Sequence, residues 1–160
     1  MLALLLAAAQ PAEPAPAPDC SYDLEAMLAL DRNAFDQDMD GGWRPLGMKE
    51  ACEIATAELI RAWRHEKRDH AHILYWHEGQ LRASGGQTAE AIALFRLTYM
   101  PAENDTHFGW NHYVSGTIAF LEGDREALVA AITRLKAVPG PKSNRITLPA
   151  QYIAQDRKST

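Results

Sequence analysis

The spacing of apolar residues from Tyr22 onward is the feature that most limits what this chain can form. Strict alternation of apolar and polar residues, which is typical of a half-buried β-strand, does not extend over any convincing stretch. Apolar residues instead recur three or four positions apart, as they do on one side of a helix. The clearest set lies within residues 48–65 and comprises Cys52, Ala55, Thr56, Leu59, Ala62 and Trp63. The sequence therefore predicts an all-α fold.

Glycine and aspartate indicate where several helices end and begin. Gly86 follows a helix predicted over residues 70–84, and Gly123 follows one predicted over residues 108–122, because glycine adopts the left-handed conformation of a helix end without strain. Asp124 is the predicted cap of the next helix. Six helices in three antiparallel hairpins are expected. The first hairpin begins with an apolar stripe that comprises Leu24, Met27, Leu28 and Phe35.

Two of the predicted hairpins repeat at a nearly constant distance along the chain. Gly79 pairs with Gly116 and Gly86 with Gly123, each 37 residues apart, and Ala91 pairs with Ala127. Small side chains at such positions let two helices approach closely. The repeat therefore predicts hairpins that stack on one another.

These hairpins resemble the tetratricopeptide repeat (TPR) family over about residues 73–135. Gly79 in a first helix is followed by Ala91 in the second, and Ala91-x-x-x-Phe95 is similar to the A-x3-F element of the family. The resemblance implies a stack of three antiparallel hairpins, a TPR-like α-solenoid. The residues that it assigns to packing between helices are Gly79, Ala91, Phe95, Gly116 and Ala127.

The chain also departs from the family pattern. Glu78 and Arg82 stand where the family has leucine and tyrosine, and Ala131 stands where it has phenylalanine. The first hairpin, residues 24–63, is a degenerate unit under this interpretation. The alternative is an ordinary helical bundle, in which the glycines only end helices and no concave groove exists.

The TPR resemblance implies a groove lined by the first helix of each hairpin. The side chains that it places in this groove are Trp76, Gln80, Trp110, Tyr113 and Thr117. Aromatic side chains bury a large area with little loss of entropy, which suits a protein or peptide partner. The alternative is that these aromatic residues pack internally between hairpins. We expect a noncatalytic protein- or peptide-binding module.

The N-terminal segment indicates export. Residues 1–9 form an apolar run that ends in small residues, and residues 10–18 are rich in proline and alanine, as in a secretory signal followed by a leader. The run is too short to cross a membrane, since a spanning helix needs about 20 residues. No Lys or Arg precedes it, so a plain disordered N-terminus is the alternative. The predicted location is the periplasm or the cell exterior, without a stable membrane span.

The chain contains two cysteines, Cys20 and Cys52. In an exported protein we expect them to form one disulfide. If the chain is not exported, Cys52 is instead a buried small apolar residue and Cys20 is a free thiol.

Two patterns point toward metal sites, and neither is complete. Asp36, Asp38, Asp40 and Gly41 match the start of an EF-hand calcium loop, but Gly47 stands where the loop needs a carboxylate. An acidic turn after a helix is the simpler interpretation. No metal site is predicted there.

The histidines do not form a zinc motif either. His70 and His77 lie about 10 Å apart along a helix, which is too far for one zinc ion. His77-Glu78 begins like the H-E-x-x-H motif, but Leu81 stands in place of the second histidine.

Composition and motifs exclude further classes. The formal charge of -5 is spread along the chain, without a basic cluster among aromatic residues, so we expect no nucleic-acid partner. No nucleophile elbow, phosphate-binding loop or dinucleotide motif occurs. No catalytic residue and no cofactor is predicted.

The chain is therefore divided into three parts. Residues 1–18 are a signal-like segment and leader, residues 19–138 a TPR-like helical domain, and residues 139–160 an irregular tail that contains proline. The alternatives in function are a small calcium- or zinc-binding helical protein and a structural fragment of a larger envelope protein.

Overall fold

The computed structural model describes residues 17–105 and 108–139, which form helices and turns without a β-strand. The all-α prediction is confirmed for these residues. They contain seven α-helices: α1 Leu24–Ala29, α2 Arg44–Gly47, α3 Glu53–Lys67, α4 His72–Ser84, α5 Thr88–Arg96, α6 Trp110–Glu122 and α7 Arg125–Ala137. A π-helical turn, Asn33–Gln37, precedes α2, and a 3-10 turn, Ala102–Asn104, precedes α6. The predicted signal segment, up to residue 16, and the predicted tail, from residue 140, lie outside the described residues.

The long helices pack in chain order, with α3 against α4, α4 against α5, α5 against α6 and α6 against α7. Arg64 near the end of α3 contacts Glu78 in α4, and Glu58 near the start of α3 contacts Arg82, so α3 and α4 are antiparallel. Short turns make α4–α5 and α6–α7 antiparallel as well. None of the helices within the two described ranges is both long and apolar enough to cross a bilayer.

The ends of α4 and α6 lie where the sequence predicts them. Gly123 follows α6 with a φ of 71°, in the left-handed region. The carboxylate of Asp124 accepts a hydrogen bond from the backbone N–H of Ala127 at the start of α7. Local capping therefore determines the turn between α6 and α7.

The predicted first helix differs from the structure. The stripe from Leu24 to Phe35 does not lie on one helix, because the chain leaves α1 and resumes as the π-helical turn. Asp31 accepts a hydrogen bond from the backbone N–H of Ala34, which starts this second segment. Gly42 has a φ of 56°, and a Cβ there would lie 1.9 Å from the backbone oxygen of Phe35. The chain turns back over the π-helical turn at a position that only glycine fits.

The first hydrophobic cluster joins the N-terminal residues to α3. Phe35 and Trp63 are buried and stack with ring centroids 4.6 Å apart. The indole N–H of Trp63 donates to the backbone oxygen of Leu30 at 3.2 Å. A disulfide between Cys20 and Cys52 confirms the predicted pairing. Ring stacking, a hydrogen bond and a covalent bond therefore hold this segment against α3.

The second hydrophobic cluster joins α4, α5 and α6. A Cβ added at Gly79 would lie 2.6 Å from the ring of Phe95, so the missing side chain admits this ring. Ala91 is fully buried in the same cluster. Gly79, Ala91 and Phe95, which the sequence assigns to packing, therefore belong to one contact region between α4 and α5.

The hairpin of α6 and α7 packs through a different pair of small residues. A Cβ at Gly116 of α6 would lie 3.4 Å from the Cβ of Ala131 in α7. Ala127, which the repeat pairs with Ala91, is exposed. Ala131, one turn later, makes the contact with α6, so the two hairpins share the glycine but not its partner.

We expect reduction of the disulfide between Cys20 and Cys52 to lower the free energy of unfolding by about 3 to 4 kcal/mol. The bond joins residues 32 positions apart and so restricts the unfolded chain. Urea denaturation with and without a reducing agent measures the change. A double variant, Cys20→Ser with Cys52→Ser, should not respond to the reducing agent. An unchanged midpoint for the fully reduced native protein would contradict this expectation.

Gly79→Ala and Gly116→Ala form a matched pair, because both glycines lie within the first helix of a hairpin. Overpacking against Phe95 costs about 1 to 3 kcal/mol. The higher helix propensity of alanine stabilises the helix by up to about 1 kcal/mol. We therefore expect Gly79→Ala to destabilise the protein. Gly116→Ala meets only an ordinary contact and should be neutral or stabilising. Urea denaturation compares them, and equal effects would show that the Phe95 contact is unimportant.

Candidate functional site

Four aromatic side chains meet where α4 approaches α6, and we refer to them as the aromatic cluster: Trp76, Phe108, Trp110 and Tyr113. The ring centroid of Trp76 lies 4.9 Å from that of Trp110 and 5.1 Å from that of Tyr113. Phe108 lies 6.0 Å from Trp110. These are distances at which aromatic rings attract one another. Three of the predicted groove residues, from two hairpins, therefore come together.

The five predicted groove residues differ in exposure. Trp76 is only 5% exposed and packs between the hairpins, as the alternative interpretation proposed. Trp110 and Tyr113 are half-buried, and Gln80 is exposed. Thr117 is half-buried, and its hydroxyl donates to the backbone oxygen of Tyr113 at 3.0 Å. Trp76 is therefore not accessible to a partner. The accessible part of the predicted site consists of Gln80, Trp110, Tyr113 and Thr117.

The segment before α6 positions the accessible rings. The carboxylate of Asp105 accepts hydrogen bonds from the backbone N–H groups of Trp110 at 2.6 Å and Asn111 at 2.8 Å. The indole N–H of Trp110 donates to the backbone oxygen of Thr98 at 2.7 Å. Phe108 was not predicted as a site residue, although its place just before Trp110 was a usable signal. It adds a third half-buried ring to the surface.

A buried aspartate fastens the π-helical turn to α4. Asp36 is fully buried, and its carboxylate accepts hydrogen bonds from the indole N–H of Trp43 at 2.9 Å and from Nδ1 of His77 at 2.6 Å. The amide of Gln37 also donates to it. Burial works to raise the pKa of Asp36, but these hydrogen bonds and the charge of His77 outweigh burial and lower it. Asp36 is therefore an ionised acceptor at neutral pH.

The acidic stretch from Asp36 to Asp40, which begins like a calcium loop, makes hydrogen bonds within the protein. Asp36 is bound by protein donors, whereas Asp38 and Asp40 are exposed, and Asp38 accepts a hydrogen bond from the backbone N–H of Asp40. In residues 17–105 and 108–139, no group of three or more His, Cys, Asp or Glu is placed to hold a metal ion. The pairing of Asp36 with His77 joins residues 41 positions apart, and no sequence signal predicted it.

A network of ion pairs joins α3 to α4. Glu78 is 2% exposed and contacts Arg64 at 2.6 Å and Arg82 at 3.0 Å. Arg82 also contacts Glu58 at 2.7 Å, and this hydrogen bond is the main reason that the pKa of Glu58 is lowered. Burial works to lower the pKa of Arg82, but its two glutamate partners raise it. Glu78 and Arg82 are two of the positions at which the sequence departs from the TPR pattern.

Comparison with family models, with curated proteins and with solved structures gives no match to this chain. The resemblance to TPR proteins therefore stays a prediction from the residues themselves. Function has to be inferred from the side chains and their geometry.

We expect Asp36→Asn to lower the free energy of unfolding by about 1.5 to 3 kcal/mol at neutral pH, the usual contribution of hydrogen bonds to a charged group. Folding lowers the pKa of Asp36 from its ordinary value of 3.8. The stabilisation is therefore present above that value and is lost as pH falls through the folded-state pKa. The difference between the native protein and the variant should shrink below about pH 4.

Urea denaturation of both proteins between about pH 5 and pH 2.5 measures this difference. Asp38→Asn is the matched control, because Asp38 lies two positions away and is exposed. The control should match the native protein throughout. A difference for Asp36→Asn that stays constant in acid would contradict the role given to the ionised carboxylate.

Proposed function

We propose that this protein is a noncatalytic module that binds a protein or peptide on the accessible side of the aromatic cluster. The observation that carries this proposal is the position of Phe108, Trp110 and Tyr113, half-buried beside one another over the buried Trp76. Aromatic side chains with polar edges are enriched at the centres of protein interfaces. Phe108, Trp110 and Tyr113 form an aromatic surface of this kind.

The surface is ordered before a partner arrives. Trp76 supports it from beneath and contacts Phe95 of α5 with ring centroids 4.6 Å apart. Trp110 is fixed by its hydrogen bond to the backbone of Thr98. Side chains that are already held in place lose little entropy on binding. A preformed surface of this kind suits recognition of a partner.

Polar groups border the aromatic cluster on both helices. Gln80 lies one helical turn after Trp76 on α4, and its exposed amide offers both donors and an acceptor. Thr117 lies one turn after Tyr113 on α6. An extended peptide presents backbone N–H and C=O groups, which such side chains are suited to bind. The aromatic rings would then hold one of its apolar side chains.

We also propose that the helices form a TPR-like stack of three hairpins. The pairs α4–α5 and α6–α7 are two of them, and α3 with the segment before it is the third, degenerate unit. The contact of Trp76 with Trp110 and Tyr113 brings together the first helices of successive hairpins. A stack of repeats requires contacts of this kind between neighbours.

The disulfide between Cys20 and Cys52 supports a location outside the reducing cytosol, since such bonds persist in oxidising compartments. The signal-like segment at the N-terminus points to the same location. We propose that the protein acts in the periplasm or outside the cell.

Selection of peptides from a displayed random library on the immobilised, oxidised protein tests the proposed function. For a selected peptide, we expect Tyr113→Ala to weaken binding about tenfold or more, as for an aromatic residue central to an interface. Gln80→Ala should weaken binding to a smaller extent. Fluorescence anisotropy with the labelled peptide measures both.

Tyr22→Ala is the matched control, because Tyr22 is another tyrosine, 36% exposed and outside the aromatic cluster. It should bind as the native protein does. Circular dichroism should show unchanged helicity in all three variants. Peptides whose binding is insensitive to both Tyr113 and Gln80 would place the binding surface elsewhere and overturn the proposal.

A further inference from the structure

The two helices that meet at the aromatic cluster carry acidic residues and no exposed Lys or Arg. Residues 97–124, which include α6 and the turns on both sides of it, contain four carboxylates and neither Lys nor Arg. Helix α4, which supplies Trp76, contains one arginine, Arg82. Arg82 is buried and forms ion pairs with Glu78 and Glu58. A partner at the cluster therefore meets no exposed Lys or Arg of these two helices.

Two of the four acids lie beside the accessible rings. Glu122 and Asp124 are at the opposite end of α6 from Trp110, and Glu122 already forms an ion pair. Glu103 and Asp105 lie in the segment directly before α6. Glu103 is exposed, and it forms no ion pair with any residue in the ranges 17–105 and 108–139. The charge of Glu103 therefore faces solvent on the Trp110 side of the cluster.

The charge of Asp105 is only partly offset by the protein. Its carboxylate oxygens accept hydrogen bonds from the backbone N–H groups of Trp110 at 2.6 Å and Asn111 at 2.8 Å, at the N-terminus of α6. A helix N-terminus carries roughly half a positive charge. Glu103 adds a full negative charge close by, because two residues of chain span at most about 7 Å. This side of the aromatic cluster is therefore electronegative.

The accessible rings add a second source of attraction for a cation. The face of an aromatic ring is negative and attracts an ammonium or guanidinium group within about 6 Å of its centroid. Elsewhere in the chain, the guanidinium of Arg44 lies 4.5 Å from the ring centroid of Trp43. Phe108 and Trp110 are half-buried, and neither ring is covered by a Lys or Arg from the described part of the chain. A cation from a partner can take that position.

We propose that the peptide bound at the aromatic cluster is basic. This inference rests on the proposed function and adds the chemical class of the partner. A Lys or Arg of the peptide lies on the side of the rings next to Glu103, while an apolar side chain of the same peptide contacts the rings. Acidic peptides are rejected, because like charges that face each other across an interface are unfavourable. Charge therefore selects among peptides that share the same apolar residue.

Selection from a displayed peptide library that encodes Lys, Arg, Asp and Glu equally often tests the class of partner. The immobilised, oxidised protein and its Tyr113→Ala variant are used in parallel at about pH 8, where an ordinary histidine is neutral. We expect the peptides that bind only the native protein to contain Lys and Arg more often than Asp and Glu by about threefold, the effect of one exposed ion pair. Equal frequencies of basic and acidic residues would overturn the inference.

Glu103→Lys tests the proposed contact with one selected peptide. Fluorescence anisotropy should show binding weakened about tenfold at about 20 mM salt and less at about 300 mM, because salt screens exposed charges. A peptide whose basic residue is replaced by Glu should bind Glu103→Lys better than it binds the native protein. Glu90→Lys is the matched control, because Glu90 is an exposed glutamate at the start of α5, outside the aromatic cluster. This control should bind the selected peptide as the native protein does.

The outcomes separate this inference from the proposed function. If no selected peptide depends on Tyr113, the proposed function fails and this inference fails with it. Peptides that depend on Tyr113 but bind Glu103→Lys as well as the native protein would overturn this inference alone. Equal weakening by Glu103→Lys and Glu90→Lys would indicate an effect of net charge and would also overturn it.

Discussion

Helix α4 provides the contacts on which the rest of the described fold depends, because four other parts of the chain pack against it. These contacts are the ion pairs of Glu78 and Arg82 with α3, the approach of Phe95 of α5 to Gly79, the packing of Trp76 against α6, and the hydrogen bond of His77 to Asp36. Each contact has a different chemistry. A change in the position of α4 would therefore disturb all of them together.

Two of these contacts involve charged side chains that are buried, which is rare in proteins unless the charges are paired. A buried ion pair contributes little net stability compared with apolar packing, but a buried charge without its partner is strongly destabilising. Sliding α3 along α4 by one turn would separate Glu78 from Arg64 and leave the buried carboxylate with one arginine. We interpret the network as the feature that fixes the register of α3 on α4.

Two surfaces of the described chain differ in chemistry although both depend on α4. The aromatic cluster between α4 and α6 offers apolar rings with polar edges, which suits a peptide. The groove between α3, α4 and α5 is lined instead by the charged side chains of the ion-pair network. Trp76 belongs to the first and Glu78 to the second, although they are two positions apart in the sequence. Neighbouring positions on a helix point in different directions, and this geometry lets one helix serve both surfaces.

The sequence by itself determined the helical class, the ends of α4 and α6, the cap at Asp124, and the one possible intramolecular pairing of Cys20 with Cys52. These features arise from signals that act within a few residues or, for the cysteines, from the presence of only two. Tertiary structure alone decided that the stripe from Leu24 to Phe35 breaks into two segments, that Trp76 is buried, and that Asp36 bonds to His77. An apolar stripe predicts that a helix face is covered, but it does not say which element covers it. A hydrogen bond across 41 residues depends on the final packing of two segments, which no local pattern encodes.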